Sequence, residues 1–139
     1  MPSKAVSDAF RARLAAWSNL AACPYVDLNE VSAVPSPPYL EIEWPVAREQ
    51  RVGPGQRQVF REEGGARFVI TVAALKTGAK DQALTWADEL RDLFRDYTFD
   101  SEIVAGDASP PVLDPRAQQS GTKFKVPFVV LYQRDTIKG

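Results

Sequence analysis

Between Ala66 and Tyr97 the apolar residues change period once, and that change dictates much of what the chain can fold into. From Ala66 to Leu75 they run almost unbroken, with Phe68, Ile70, Val72 and Ala74 on one face and Val69, Thr71 and Ala73 on the other. That is the pattern of a central strand buried on much of both sides. Beyond a Lys76-Thr77-Gly78 turn, Ala83, Ala87, Leu90, Phe94 and Tyr97 recur at helical spacing, so a second helix with one apolar stripe follows the strand. A buried strand needs partners on its edges and a striped helix needs a sheet to lie on, so the remaining segments must supply the rest of a two-layer domain.

They do so in recognisable blocks. Val6, Phe10, Leu14 and Trp17, with Ala9 beside them, mark a first helix from Ser3 to Trp17, with Ser3 as N-cap and Asn19 and Pro24 at its exit. Its Lys4, Arg11 and Arg13 side suits a solvated face or a subunit contact better than DNA, because both signs of charge are mixed through the chain. Val34-Pro35-Ser36-Pro37-Pro38 reads as an extended connector, since its prolines lack ladder donors. It delivers the chain to a strand from Tyr39 to Trp44, which Pro45 is expected to end. From Val46 to Gln58 the chain is polar and reads as a long charged loop around Gly53-Pro54-Gly55. Gln58 to Glu62 is strand-like, Gly64-Gly65 is read as a turn, and Ile103-Val104 as a short edge strand. Ser109-Pro110-Pro111 breaks the path to a final strand from about Lys123 to Arg134. In that strand Phe124, Val126, Phe128, Val130 and Tyr132 alternate with Lys123, Lys125, Val129, Leu131 and Gln133. Pro127 should place its nitrogen at an open edge or a bulge, and Asp135 to Gly139 reads as a polar tail. The expected fold is a single α+β domain over residues 1–139, a mixed, mostly antiparallel sheet with two helices on one face. Its expected core contains Phe10, Leu14, Ile42, Phe68, Ile70, Val72, Leu90 and Phe94.

Composition narrows the functions such a domain can have. The 139 residues carry a formal net charge of -1, which disfavours a uniformly basic nucleic-acid binder or a polybasic membrane-surface protein. Apolar runs are too short to span a bilayer, and the start of the chain leads into a polar-faced helix, so synthesis in the cytoplasm is expected. The sequence contains no histidine, which removes the commonest general base, the usual nucleophile partner and the usual transition-metal ligand. Paired carboxylates remain: Glu41 with Glu43, Glu62 with Glu63, and Asp88, Glu89 and Asp92. Each is read as a solvated face in the absence of any sequence sign of a hollow around it. The single Cys23 is read as a structural thiol. Gly53-x-Gly55 lacks the flanking strand, helix and Lys-Ser or Lys-Thr of a phosphate loop and is read as a turn. No catalytic, metal or cofactor residue is assigned, and an enzyme is the third choice.

The layout resembles the tail terminator (tail-completion) proteins of long-tailed bacteriophages. The residues that carry the resemblance are the N-terminal helix from Ser3 to Trp17 and the acidic strand Pro38-Tyr39-Leu40-Glu41-Ile42. They also include Gly64-Gly65-Ala66-Arg67-Phe68-Val69-Ile70-Thr71-Val72, which runs through Thr77-Gly78-Ala79 into Ala83-x-x-x-Ala87-Asp88-x-Leu90-x-x-Leu93-Phe94, and the closing Phe124-Lys125-Val126-Pro127-Phe128 strand. The 46–58 loop and the proline-rich 109–115 stretch depart from that layout. The resemblance implies a structural virion protein of the tail or neck, assembled in the host cytoplasm. It would form a ring, usually a hexamer, that caps the tail tube, stops its polymerisation and meets a head-completion or stopper protein while DNA passes through the bore. Within that reading Arg48, Arg51 and Arg57 offer planar donors for a neighbouring subunit or the tube. Trp86 and Leu93 widen the helix-two stripe into a second contact surface, and Glu41 and Glu43, with the acidic side of helix two, are candidates for the channel lining. The alternative is a small cytosolic adaptor or ligand-binding domain, which the same layout fits.

Overall fold

The computed structural model describes residues 3–27, 35–52, 58–74, 77–100, 102–110, 119–120 and 123–138. Two helices, α1 (Lys4–Leu14) and α2 (Ala79–Phe94), accompany five strands: β1 (Tyr39–Val52), β2 (Gln58–Ala73), β3 (Ile103–Ala108), β4 (Gln119–Ser120) and β5 (Lys123–Lys138). The sheet order is β1-β2-β5-β3, with β4 pairing the start of β5 on the β3 side, and every ladder is antiparallel. This is the expected α+β fold.

The period change at Gly78 becomes the strand-to-helix junction. Gly78 caps α2 at φ +78°, a left-handed conformation that glycine adopts without the clash a Cβ would bring. Both helices lie on one sheet face, formed by Leu40, Ile42 and Trp44 of β1, Phe68, Ile70 and Val72 of β2, and Phe124 to Tyr132 at alternate positions of β5. Phe10 of α1 stacks on Phe94 of α2 at 5.2 Å and meets Trp44 edge-on at 5.3 Å, and Phe68 stacks on Phe128 at 5.0 Å. Seven of the eight expected core residues are buried, whereas Ile42 is only half-buried because β1 is the outer strand on that side.

Four readings of the chain's outer segments change. Pro45 does not end β1. A register shift between Glu43 and Val46 absorbs it, and the strand continues to Val52 against Val59. The expected 46–58 loop is therefore mostly ladder, and only its tip, residues 53–57, lies outside the described residues. Gly64 and Gly65 sit mid-strand in β2, opposite Tyr132 and Leu131. The expected polar tail is the end of β5, where Asp135, Thr136, Ile137 and Lys138 pair with Arg61, Phe60, Val59 and Gln58. The cause is common to all four. Backbone groups form the ladder, so a polar segment paired on its edge is a stable strand without an apolar stripe.

Smaller features follow the sequence more closely. The first helix is α-helical to Leu14 and tightens into three-residue turns that reach Trp17. Ser3 occupies its N-cap without a side-chain cap bond: its amide donates to Glu62 and its hydroxyl accepts from Arg134. Ser109 pairs with the outer edge of β5 through both the amide and the carbonyl of Val129. Pro127, two residues earlier, shares that edge and faces the interval between β4 and β3, as a residue without a donor should.

Candidate functional site

Helices cover one side of the sheet, so the other side is where this fold has surface to offer. Pairing places its rows in order along β1, β2 and β5: Glu41–Val69–Pro127, Glu43–Arg67–Val129, Val46–Gly65–Leu131, Arg48–Glu63–Gln133, Gln50–Arg61–Asp135 and Val52–Val59–Ile137. Val104 of β3 joins the Gln133 row. Among the described residues the exposed large hydrophobics are Val104 (41 %), Leu131 (51 %) and Ile137 (64 %), and all three lie on this helix-free face.

The middle of the face is hollow. The register shift in β1 lies opposite Gly65 and Arg67, and the shift in β3 lies opposite Tyr132 and Val130. Two irregularities on either side of one β2–β5 segment bend the outer strands around it. Gly65 deepens the floor, and a Cβ there would stand 3.0 Å from Val129 Cγ1. The result is an open concavity of about 750 Å³, lined by Pro45, Gly65, Val104, Val129 and Leu131, with Arg48, Glu63 and Asp107 among its polar residues. Arg48 and Glu63 pair at 3.5 Å, whereas Asp107 makes no ion pair among the described residues.

At the far end, the three-strand ribbon of β1, β2 and β5 continues past the first residue of α1. Tyr132 donates its hydroxyl to buried Glu62 at 2.7 Å, and Ser3 donates its amide to the same carboxylate at 3.2 Å. Burial, and then the Glu62 bond, push the Tyr132 phenol above its usual range. Four residues of β2 lie beyond Glu62, a reach of roughly 13 Å at strand rise. Arg61 grips Asp135 through both carboxylate oxygens, at 2.9 and 3.1 Å. That bond holds the Asp135 carboxyl below its usual range. Val52, Val59 and Ile137 form the last row.

The structure distributes the candidate residues unevenly. Arg48 and Arg51 are exposed on the β1 end of the ribbon, and Arg57 lies outside the described residues. Trp86 is not a free contact residue: it is buried at 6 % exposure, edge-on to Trp17 at 6.3 Å. Leu93 is half-buried against the core, and its carbonyl accepts from Arg13. The extra width of the α2 stripe is spent on α1 and its exit segment. Glu41 and Glu43 occupy the helix-free face, where Glu43 pairs with Arg67 and Glu41 lies near Lys125. Burial, and the charge of Glu43, push the Glu41 carboxyl up against the opposing pull of Lys125 and Arg67.

The structure separates the members of two of the three carboxylate groups. Glu62 and Glu63 point to opposite faces of β2, and Glu89 accepts from Trp17 and Asn19 between the helices. Asp88 and Asp92 pair with Arg91 and Arg95 on the exposed side of α2. The acidic side of α2 and the Glu41–Glu43 pair thus lie on opposite faces of the molecule, and one surface cannot present both. Burial pushes the Cys23 thiol up to about 12, so it is protonated and inert at neutral pH. No group of three or more His, Cys, Asp or Glu among the described residues could hold a metal ion. Among them, no helix is long and apolar enough to cross a membrane.

No protein-family model matches the chain, and neither does any curated protein. The sequence reading missed Leu131, Val104 and Ile137. A signal for Leu131 was present, because Val129 and Leu131 occupy positions of β5 that should be polar if its second face met only water.

Proposed function

We propose that the chain is a ring-forming structural subunit of a phage tail, acting as tail terminators do: it caps the tail tube, stops its growth and joins it to a head-completion protein. One observation carries the reading. The exposed large hydrophobics among the described residues are gathered on one helix-free sheet face, at a concavity and on a projecting ribbon tip. A surface of that kind fits contact with other protein chains. The block order of the sequence supports the same role. DNA is the cargo of such a bore and is not bound by it. The exposed carboxylates of Asp88 and Asp92 or the Glu41–Glu43 face would serve as a lining that does not hold phosphate.

The alternative, a small adaptor, would place its ligand in the same concavity. Adding purified protein to growing tail tubes separates the two. A terminator leaves tubes of set length with a ring on one end, and an adaptor leaves tube growth unchanged.

A further inference from the structure

We infer that a pocket at the N-terminus of α2 binds a small carboxylate with a short apolar tail, its oxygens held between the indole N–H of Trp86 and the first amides of the helix. Pro37, Pro38, Val72, Ala79 and Trp86 wall a cavity of about 160 Å³, which shares no residue with the concavity on the helix-free face. Two independent sets of donors border it, and neither has an acceptor. Trp86 is only 6 % exposed, yet its Nε1–H donates to nothing. A buried donor without a partner is costly, and the cavity beside the ring gives an acceptor room to stand. The helix supplies the second set. Gly78 at the N-cap has no side chain to cap with, and the first amide of α2 with an acceptor is that of Gln82, bonded to the Gly78 carbonyl at 3.0 Å. The amides of Ala79, Lys80 and Asp81 precede it and have no acceptor among the described residues. Ala79 and Trp86 are seven residues apart and so share one side of α2.

The chemistry of the pocket selects its ligand. Donors without acceptors, at the positive end of a 16-residue helix, call for an anion. Asp81 places a carboxylate in the same first turn, and the Lys80 ammonium lies over the Phe124 ring at 6.0 Å. A doubly charged phosphate would meet that fixed negative charge without a cation held ready for it, whereas a single carboxylate is satisfied by N–H groups. The walls are apolar, and the volume is well below the roughly 300 Å³ at which pockets for drug-sized ligands begin. The ligand is therefore a carboxylate carrying a few carbons. A free acid and the C-terminal carboxylate of a polypeptide present this chemistry alike.

The test titrates isobutyrate into the isotope-labelled full chain and follows the indole N–H signals of Trp17, Trp44 and Trp86 in proton–nitrogen correlation spectra, each assigned through its own ring protons. The Trp86 signal and the amides of Ala79 and Lys80 should shift together and saturate, while Trp17 and Trp44 stay in place. Isobutyramide, of the same shape without the charge, should need a roughly tenfold higher concentration for the same shift. Thr77→Glu, at an exposed position on the pocket edge, supplies a carboxylate of its own and should abolish the response to isobutyrate. Acetyl-glycyl-valine with a free C-terminus separates the two sources: saturation at a lower concentration than isobutyrate assigns the pocket to a polypeptide terminus, and at a higher one to a free acid. Trp86 and α2 signals that do not move, that move without saturating, or that move no more than the other two indoles overturn the inference. So does a folded Thr77→Glu chain that responds like wild type, or inorganic phosphate that saturates the same signals at a lower concentration than isobutyrate.

Discussion

Phe68 concentrates the energetics of this fold in one side chain. It is fully buried, stacked on Phe128, and in ring contact with Phe94 and Phe10, so it joins the sheet to both helices. Phe68→Ala should cost about 3–5 kcal/mol, read as a fall in the urea midpoint with an unchanged slope. Glu41 shows a subtler effect. Its folded pKa lies above the ordinary 4.5 because burial disfavours the charged form. Between 4.5 and that raised value the folded state holds more proton than the unfolded one, so stability falls as pH rises through the interval. Glu41→Gln should flatten the stability-pH curve just above 4.5 and leave it unchanged near pH 3, where both states are protonated. A slope that persists in the variant would assign the titration to another group.

Among the elements, those with an apolar stripe were legible in the sequence and those without one were not. The spacing of Val6, Phe10 and Leu14 located α1, and that of Ala83, Ala87, Leu90 and Phe94 located α2. The alternation from Phe124 to Tyr132 gave the correct buried face of β5. Of the ribbon, residues 58–61 read as strand-like in the sequence, whereas 46–52 and 135–138 did not, because these strands are joined by backbone bonds and by cross-strand pairs such as Arg61–Asp135. Hydrophobic period cannot report either. The candidate site suffered for the same reason, since Ile137 lay in an apparent polar tail and Val104 in a two-residue strand. Truncation after Arg134 tests whether that tail is a strand. The amide of Phe60, which faces β5 opposite Thr136, should lose hydrogen-exchange protection, while those of Phe68 to Val72 keep theirs. Equal protection in the truncated and full chains would show that 135–138 is not part of the ladder.

For the whole molecule, the division of labour is between two faces of one sheet. The helix side contains the aromatic core and the Glu62–Tyr132–Ser3 link that pins α1 to the ribbon. The other side presents an apolar concavity and an apolar tip, which a lone domain has no internal use for. The assembly proposed above would cover both, and assembly is therefore the claim on which the account depends. Light scattering of the purified wild-type chain, with electron micrographs of the same fractions, tests it most directly. The account predicts closed rings with a mass near six times the 15.4 kDa of the chain. A single species at 15.4 kDa across the accessible concentration range, with no rings in the micrographs, would contradict it.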